Sequence, residues 1–227
     1  MTSGFLLINK PAGPTSHDIV DEIRKITGIK KVGHTGTLDP FAEGLLILLV
    51  GREATKKQAE FLKKDKEYIA TLKLGFETDT YDRTGNIENT YNGTLPSQQK
   101  IENVLKKFEG EILQIPPIYS AKKIKGKKAY ELARKGKQFK LEPVKINIRK
   151  LKLLNYNKNL LTLDIECTAG TYIRSLAYDI GCELGCGAYL EKLIRIKSGK
   201  FELKDAIDLN KLTSENWQKL LLDIDKR

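Results

Sequence analysis

Apolar positions along the chain fall into short runs whose spacing switches between two and three-to-four residues, the signature of strands and helices interspersed in one fold. Residues 5–9 read as a strand that Lys10-Pro11-Ala12-Gly13-Pro14 ends with two prolines and a glycine. Thr15 or Ser16 can cap a helix with Ile19, Val20, Ile23 and Ile26 on one face and Gly28 as its stop. Residues 45–50 are an unbroken apolar run, and 52–64 have helical character with lysines on the outer side. Residues 66–75 alternate, placing Tyr68, Ala70, Leu72 and Leu74 on one face. Ser97 caps a helix that turns Ile101, Val104, Leu105 and Phe108 inward. The pattern then predicts a strand near 119–123, a helix over about 127–135, and strands at 144–154 and 160–167. A helix over 171–184 stops at Gly185, a strand covers 189–196, and two short helical patterns, the last at 217–224, finish the chain.

Neighbouring strands often lack a crossover helix between them. This favours an α+β fold with a mixed, mainly antiparallel sheet flanked by helices over a doubly wound one. With 227 residues and no linker or internal repeat, the chain reads as one domain over 1–227. No apolar stretch has the length of a membrane span. The first residues show no basic leader or cleavage site, so no export signal is expected. Three cysteines, Cys167, Cys182 and Cys186, lie in apolar surroundings and point to a reducing compartment, the cytoplasm. No second cysteine pair completes a zinc site, and no metal is expected. The charge changes the picture more: 40 Lys and Arg against 29 Asp and Glu leave +11. A surface of that sign attracts polyanions, and nucleic acid is the first partner to consider.

Between the first helix and the apolar run lies Gly33-His34-Thr35-Gly36-Thr37-Leu38-Asp39-Pro40-Phe41-Ala42-Glu43-Gly44. Two glycines before Asp39 and a proline after it describe a tight loop. Such a loop is either an ordinary connecting turn or a mount for one carboxylate. Other candidates are similarly two-sided. Arg174, in Tyr172-Ile173-Arg174, is a solvent-facing helix charge or a partner for a carboxylate. By pattern alone Tyr68 reads as a half-buried packing residue and Leu193 as a core leucine. Lys122, Lys123, Lys125, Lys127 and Lys128, interleaved with Tyr119 and Tyr130, are a solvated face or a phosphate contact.

The 33–44 segment resembles the catalytic loop of the TruB family of pseudouridine synthases, in which the aspartate is catalytic. Asn9-Lys10-Pro11-Ala12-Gly13, Lys66-Glu67-Tyr68, Thr78-Asp79-Thr80 with Asp82 and Gly85, Pro116-Pro117 with Tyr119-Ser120-Ala121 and Lys123, Tyr172-Ile173-Arg174 and Leu193-Ile194-Arg195 resemble further segments of that family in its order. The resemblance implies a pseudouridine synthase fold with a TruB-type insertion and no C-terminal PUA domain. It implies Asp39, Tyr68 and Arg174 as catalytic residues, with Arg174 paired to Asp39. It also implies His34, Leu193, Tyr172, Lys10 and Lys123 as residues that contact the substrate RNA, with His34 entering the RNA loop.

The implied activity is isomerisation of uridine 55 in the T-arm loop of tRNA, with base flipping and no cofactor. Asp39 attacks C1′, assists departure of uracil through a glycal, or adds at C6; the residues leave these three open. A monomer without an obligate protein partner is expected. Two other readings stay open: a tRNA-folding chaperone that modifies nothing, and the same chemistry on T-arm-like stem-loops of other RNAs.

Overall fold

The computed structural model describes residues 2–120, 122–124, 126–133, 135–137 and 139–223. The chain divides into two compact units, Met1–Tyr68 with Leu193–Arg227, and Ile69–Lys192. The chain passes from one unit to the other inside two strands, so no linker marks the boundary.

In the first unit the chain runs β1 (Gly4–Lys10), α1 (Ser16–Thr27), β2 (Val32–His34), β3 (Glu43–Val50), α2 (Arg52–Lys56), α3 (Gln58–Leu62) and the start of β4 (Lys66–Leu74). Helix α1 starts where the sequence predicts. Thr15 and Asp18 form a reciprocal capping box, and Gly28 closes the helix in the left-handed conformation. The helical stretch after β3 is broken at Lys57 into two one-turn pieces.

The second unit continues with β5 (Phe76–Thr78), β6 (Ile87–Thr90), α4 (Gln98–Leu105), β7 (Gly110–Gln114), β8 (Lys123–Ile124), β9 (Lys127–Lys128), α5 (Ala129–Ala133), β10 (Val144–Asn157), β11 (Leu160–Cys167), α6 (Ile173–Leu184) and β12 (Ala188–Ser198). The end of β12 returns to the first unit, followed by β13 (Phe201–Glu202), β14 (Ile207–Asp208) and α7 (Trp217–Leu220).

In the first unit β1 pairs antiparallel with β3, from Gly4 opposite Val50 to Lys10 opposite Gly44, and parallel with β14. Strand β3 also pairs antiparallel with β2 at Val32 to His34 and parallel with β12 at Ile194 and Arg195. Flanked on both edges, β3 is buried from Gly44 to Val50, which explains its continuous apolar sequence. Phe5, Leu7, Leu45, Ile47, Leu49, Ala54 and Phe61 make a core cluster, with Phe201 edge-on to Phe5 at 5.0 Å. In the second unit the order is β4-β11-β10-β7, with β10 antiparallel to both neighbours. Along β4, Tyr68, Ala70, Leu72 and Leu74 are buried and the residues between them half-exposed, as the alternation requires. The sheet is mixed and mainly antiparallel.

Two expectations are corrected and one strand is added. Residues 118–120 form bends, and among the described residues of 119–123 the strand is represented by the start of the two-residue β8. The helix expected over about 127–135 is confined to Ala129–Ala133, because Lys127–Lys128 pair with β8. Strand β7 has no predicted counterpart: one edge alone is paired, and Leu113 on its outer face is exposed, so its apolar residues do not alternate with polar ones in the usual sense.

Candidate active site

In the first unit Asp39 sits at the tip of the connection between β2 and β3, and the peptides on either side of it are held by side chains from elsewhere. Thr35 continues the β2–β3 ladder by one bond, its N–H donating to the Ile47 carbonyl at 3.0 Å. The chain then turns at Gly36, where φ is +120°, a conformation open to glycine. Leu38 dips into the core at 3% exposure. Ser16, the first residue of α1, clamps it from both sides: its Oγ donates to the Leu38 carbonyl at 3.0 Å and accepts from the Leu38 N–H at 2.9 Å. A turn over residues 39–42 follows, closed by the Ala42 N–H on the Asp39 carbonyl at 3.1 Å, with Pro40 at its second position.

Two buried cations close the loop. Lys10, at the end of β1, is fully buried, and its ammonium donates to the carbonyls of Pro11 at 2.9 Å, Pro40 at 3.2 Å and Ala42 at 2.8 Å. Arg195, on β12 and 2% exposed, donates from Nε to Leu45 at 2.7 Å and from Nη2 to Gly36 at 3.1 Å, tying the two ends of the loop together. Its backbone also lies against Gly44, where a Cβ would come within 2.4 Å of the Arg195 carbonyl oxygen. Asp39 itself is half-buried. Burial pushes the Lys10 ammonium down to about 8, while the negative charges of Asp39 and Glu43 pull it upward. The carboxylate at the loop tip is thus in the field of a cation on its own unit, which favours its ionised form.

Lys10 was expected to touch RNA. The structure buries its side chain and turns the ammonium onto three backbone carbonyls. The period-two spacing of Leu193 and Arg195 on β12 puts the arginine in phase with a buried leucine, and that phase was the available signal for its inward role. Ser16 left no such signal, being one of two interchangeable capping candidates. Leu193 is buried at 5%, and Tyr68 at 7%. His34 ends β2. Its carbonyl accepts from Gln58 Nε2 at 2.6 Å, its Nδ1 is buried without a partner, and burial with the nearby Arg195 charge lowers its pKa, so the ring is neutral at pH 7.

Arg174 and Tyr172 belong to the second unit. Arg174 opens α6 and is 6% exposed, which excludes a solvent-facing charge. It donates to the carbonyls of Tyr119 at 2.8 Å and Thr80 at 3.2 Å, and Asp82 Oδ2 lies 3.5 Å from its Nη1. Asp82 is in turn fixed by Thr80 Oγ1 at 2.9 Å and by the Thr84 N–H at 2.9 Å. Between Thr80 and Asp82, Tyr81 adopts a left-handed backbone, φ +62°, and its ring stacks on Tyr178 at 4.1 Å. The start of α6 is held by Gln114, fully buried at the end of β7, whose amide takes the Tyr172 N–H at 2.8 Å and gives to the Tyr172 carbonyl at 3.1 Å. Asp82 was read from the sequence only within a structural segment with RNA contact, and Gln114 was not read at all; a lone glutamine closing an apolar strand was its visible sign. The side chain of Lys123 lies outside the described residues.

Two family models account for most of the chain. The TruB family pseudouridylate synthase N-terminal domain matches residues 24–173, and the tRNA pseudouridylate synthase B C-terminal domain matches residues 174–224. Among similar proteins, tRNA pseudouridine synthase B of Protochlamydia amoebophila is 50% identical over 205 residues, covering 90% of this chain and 78% of its own length. The protein of the same name from Aquifex aeolicus is 47% identical over 225 residues, covering 98% and 78%. A solved Cbf5-Nop10-Gar1 complex contains a chain 32% identical with a TM-score of 0.73, covering 94% of this chain. This chain spans about half of that one, 54%. By both family models and by relatives aligned over most of their length, the chain belongs to the TruB family of pseudouridine synthases.

Proposed function

We propose that the chain isomerises uridine 55 in the T-arm loop of tRNA to pseudouridine, with Asp39 as the catalytic carboxylate. The observation that carries this reading is the immobilised turn at Asp39: Ser16, Lys10 and Arg195 hold the peptides on both sides of one half-exposed carboxylate. A reacting group held this way needs no reorganisation when the substrate arrives. In the reaction the N1–C1′ bond breaks, the uracil rotates, and a C5–C1′ bond forms; the proton lost from C5 is balanced by one gained at N1. A carboxylate that bonds transiently to the nucleoside divides this transfer into two easier steps. The uridine must leave the stack to be reached, and the Tyr68 ring then replaces its stacking partner and takes part in proton transfer. On the first unit His34 fills the RNA loop and Leu193 contacts the base; on the second, Arg174 is a catalytic residue and Tyr172 a substrate contact. No redox step occurs, so the chemistry draws on no cofactor. The enzyme acts as a monomer in the cytoplasm, a setting that suits its free cysteines, Cys167, Cys182 and Cys186.

Incubating an unmodified tRNA transcript with the protein and mapping pseudouridine tests the reading. The wild type converts uridine 55, and Asp39→Asn binds the transcript with a similar Kd but leaves no pseudouridine. Binding without conversion by the wild type establishes the chaperone reading instead. Conversion at other stem-loops in cellular RNA, with tRNA untouched, establishes the alternative substrate.

A further inference from the structure

Behind strand β2, on the same unit as Asp39, lies an open recess of about 470 Å³ lined by Lys31, Gly33, Arg52, Thr55, Lys56 and Gln58. Its charge is lopsided. Lys31, Arg52 and Lys56 line it with no carboxylate among the lining residues, and Lys56 is paired with Glu53 at 2.9 Å. Among the described residues no ion pair engages Lys31 or Arg52, both of which are exposed. Thr55 and Gln58 add neutral hydrogen-bonding groups, so the lining suits an anion with several acceptor oxygens.

The recess is also coupled to the loop. Gln58, one of its walls, donates to the carbonyl of His34, the residue from which the chain departs toward Asp39. Six residues separate Gly33 from Asp39, so the two positions lie at most about 22 Å apart even with the chain fully extended. A nucleotide presented to Asp39 therefore brings neighbouring phosphates of its own strand within reach of the recess.

We propose that this recess is an anchoring site for phosphate groups of the RNA substrate, holding the strand whose nucleotide is offered to Asp39. The inference rests on the tRNA-modifying reading above. It commits to backbone contacts, which set affinity and register and carry no sequence information.

The test is the Lys31→Glu/Arg52→Glu double variant, compared with Lys152→Glu/Lys219→Glu, which changes net charge equally at exposed positions away from the recess. Kd for an unmodified tRNA transcript is measured over a series of salt concentrations, and pseudouridine in the same transcript is mapped with the wild type. The recess variant is expected to bind at least ten-fold more weakly, with a salt slope shallower by about one for each cation removed. The control pair changes affinity by less than three-fold. Equal loss in both pairs, or an unchanged salt slope in the recess variant, overturns the proposal. If the wild type leaves the transcript unmodified, the enzymatic reading falls; if it modifies the transcript while the recess variant binds like wild type, the recess alone falls.

Discussion

Lys10 shows how one residue can help a site and burden the fold together. Its ammonium donates to three carbonyls around Asp39, yet burial lowers its pKa to about 8. An unfolded lysine titrates near 10.4, so between about pH 8 and 10.4 the unfolded chain holds more protons than the folded one at this position. The contribution of Lys10 to stability therefore rises with pH through that window. The loop geometry moves the other way, because a neutral amine is a weaker donor to Pro40 and Ala42. Turnover should fall above about pH 8 while urea denaturation shows no matching loss of stability from this group. Lys10→Met should lose ten-fold or more in kcat and the Lys10 component of both profiles; a wild-type alkaline limb that survives in the variant refutes the assignment. Gly44 gives a purely steric case. With φ at +102° and Arg195 backbone 2.4 Å from any Cβ, Gly44→Ala should destabilise by about 2 kcal/mol or more in chemical denaturation. The Asp39 loop stood out in the sequence because it carries a long, specific residue pattern. The direction in which Lys10 points was not, since a lysine after a strand looks the same whether its ammonium is in solvent or folded back onto a loop.

At the scale of elements, caps and periodicity explain why α1, α6 and the long strands were readable. The capping box at Thr15, the left-handed glycines at 28 and 185, and the strict alternation of β4 are all local signals. Residues 115–123 had none: Pro116 and Pro117 forbid regular pairing, and what fixes the segment is long-range, Ser175 Oγ on the Ile115 carbonyl at 2.8 Å and Arg174 on that of Tyr119. The first helix does more than pack. Through Ser16 it fixes Leu38 next to Asp39, so Ser16→Ala should strand two buried backbone groups at a cost of about 1–3 kcal/mol and lower kcat more than it raises KM. A stability loss with unchanged kcat would separate the clamp from the chemistry. The 78–85 turn holds Arg174 through a strained Tyr81. A β-branched residue fits a left-handed backbone poorly, whereas glycine enters it freely and forfeits only the stack on Tyr178. Tyr81→Val should therefore be less stable than Tyr81→Gly by about 1–2 kcal/mol, and equal thermal midpoints would show that the turn relaxes without strain.

For the whole molecule the sequence informs on partner. The two compact units exchange the chain within β4 and β12, where no composition shift marks a boundary. Net charge, in contrast, needs no structure. With an excess of +11, encounter with RNA is driven by release of counterions from the phosphates, while conversion at Asp39 depends on a loop whose clamps are buried hydrogen bonds. Salt screens the first strongly and the second little. Raising salt from 50 to 200 mM should weaken tRNA binding by about 10³-fold or more if six or so phosphates are neutralised, whereas the single-turnover rate at saturating tRNA should change by less than about two-fold. A single-turnover rate that falls in step with affinity would mean that surface charge, rather than the buried clamps on the 33–44 loop, holds the Asp39 carboxylate in place.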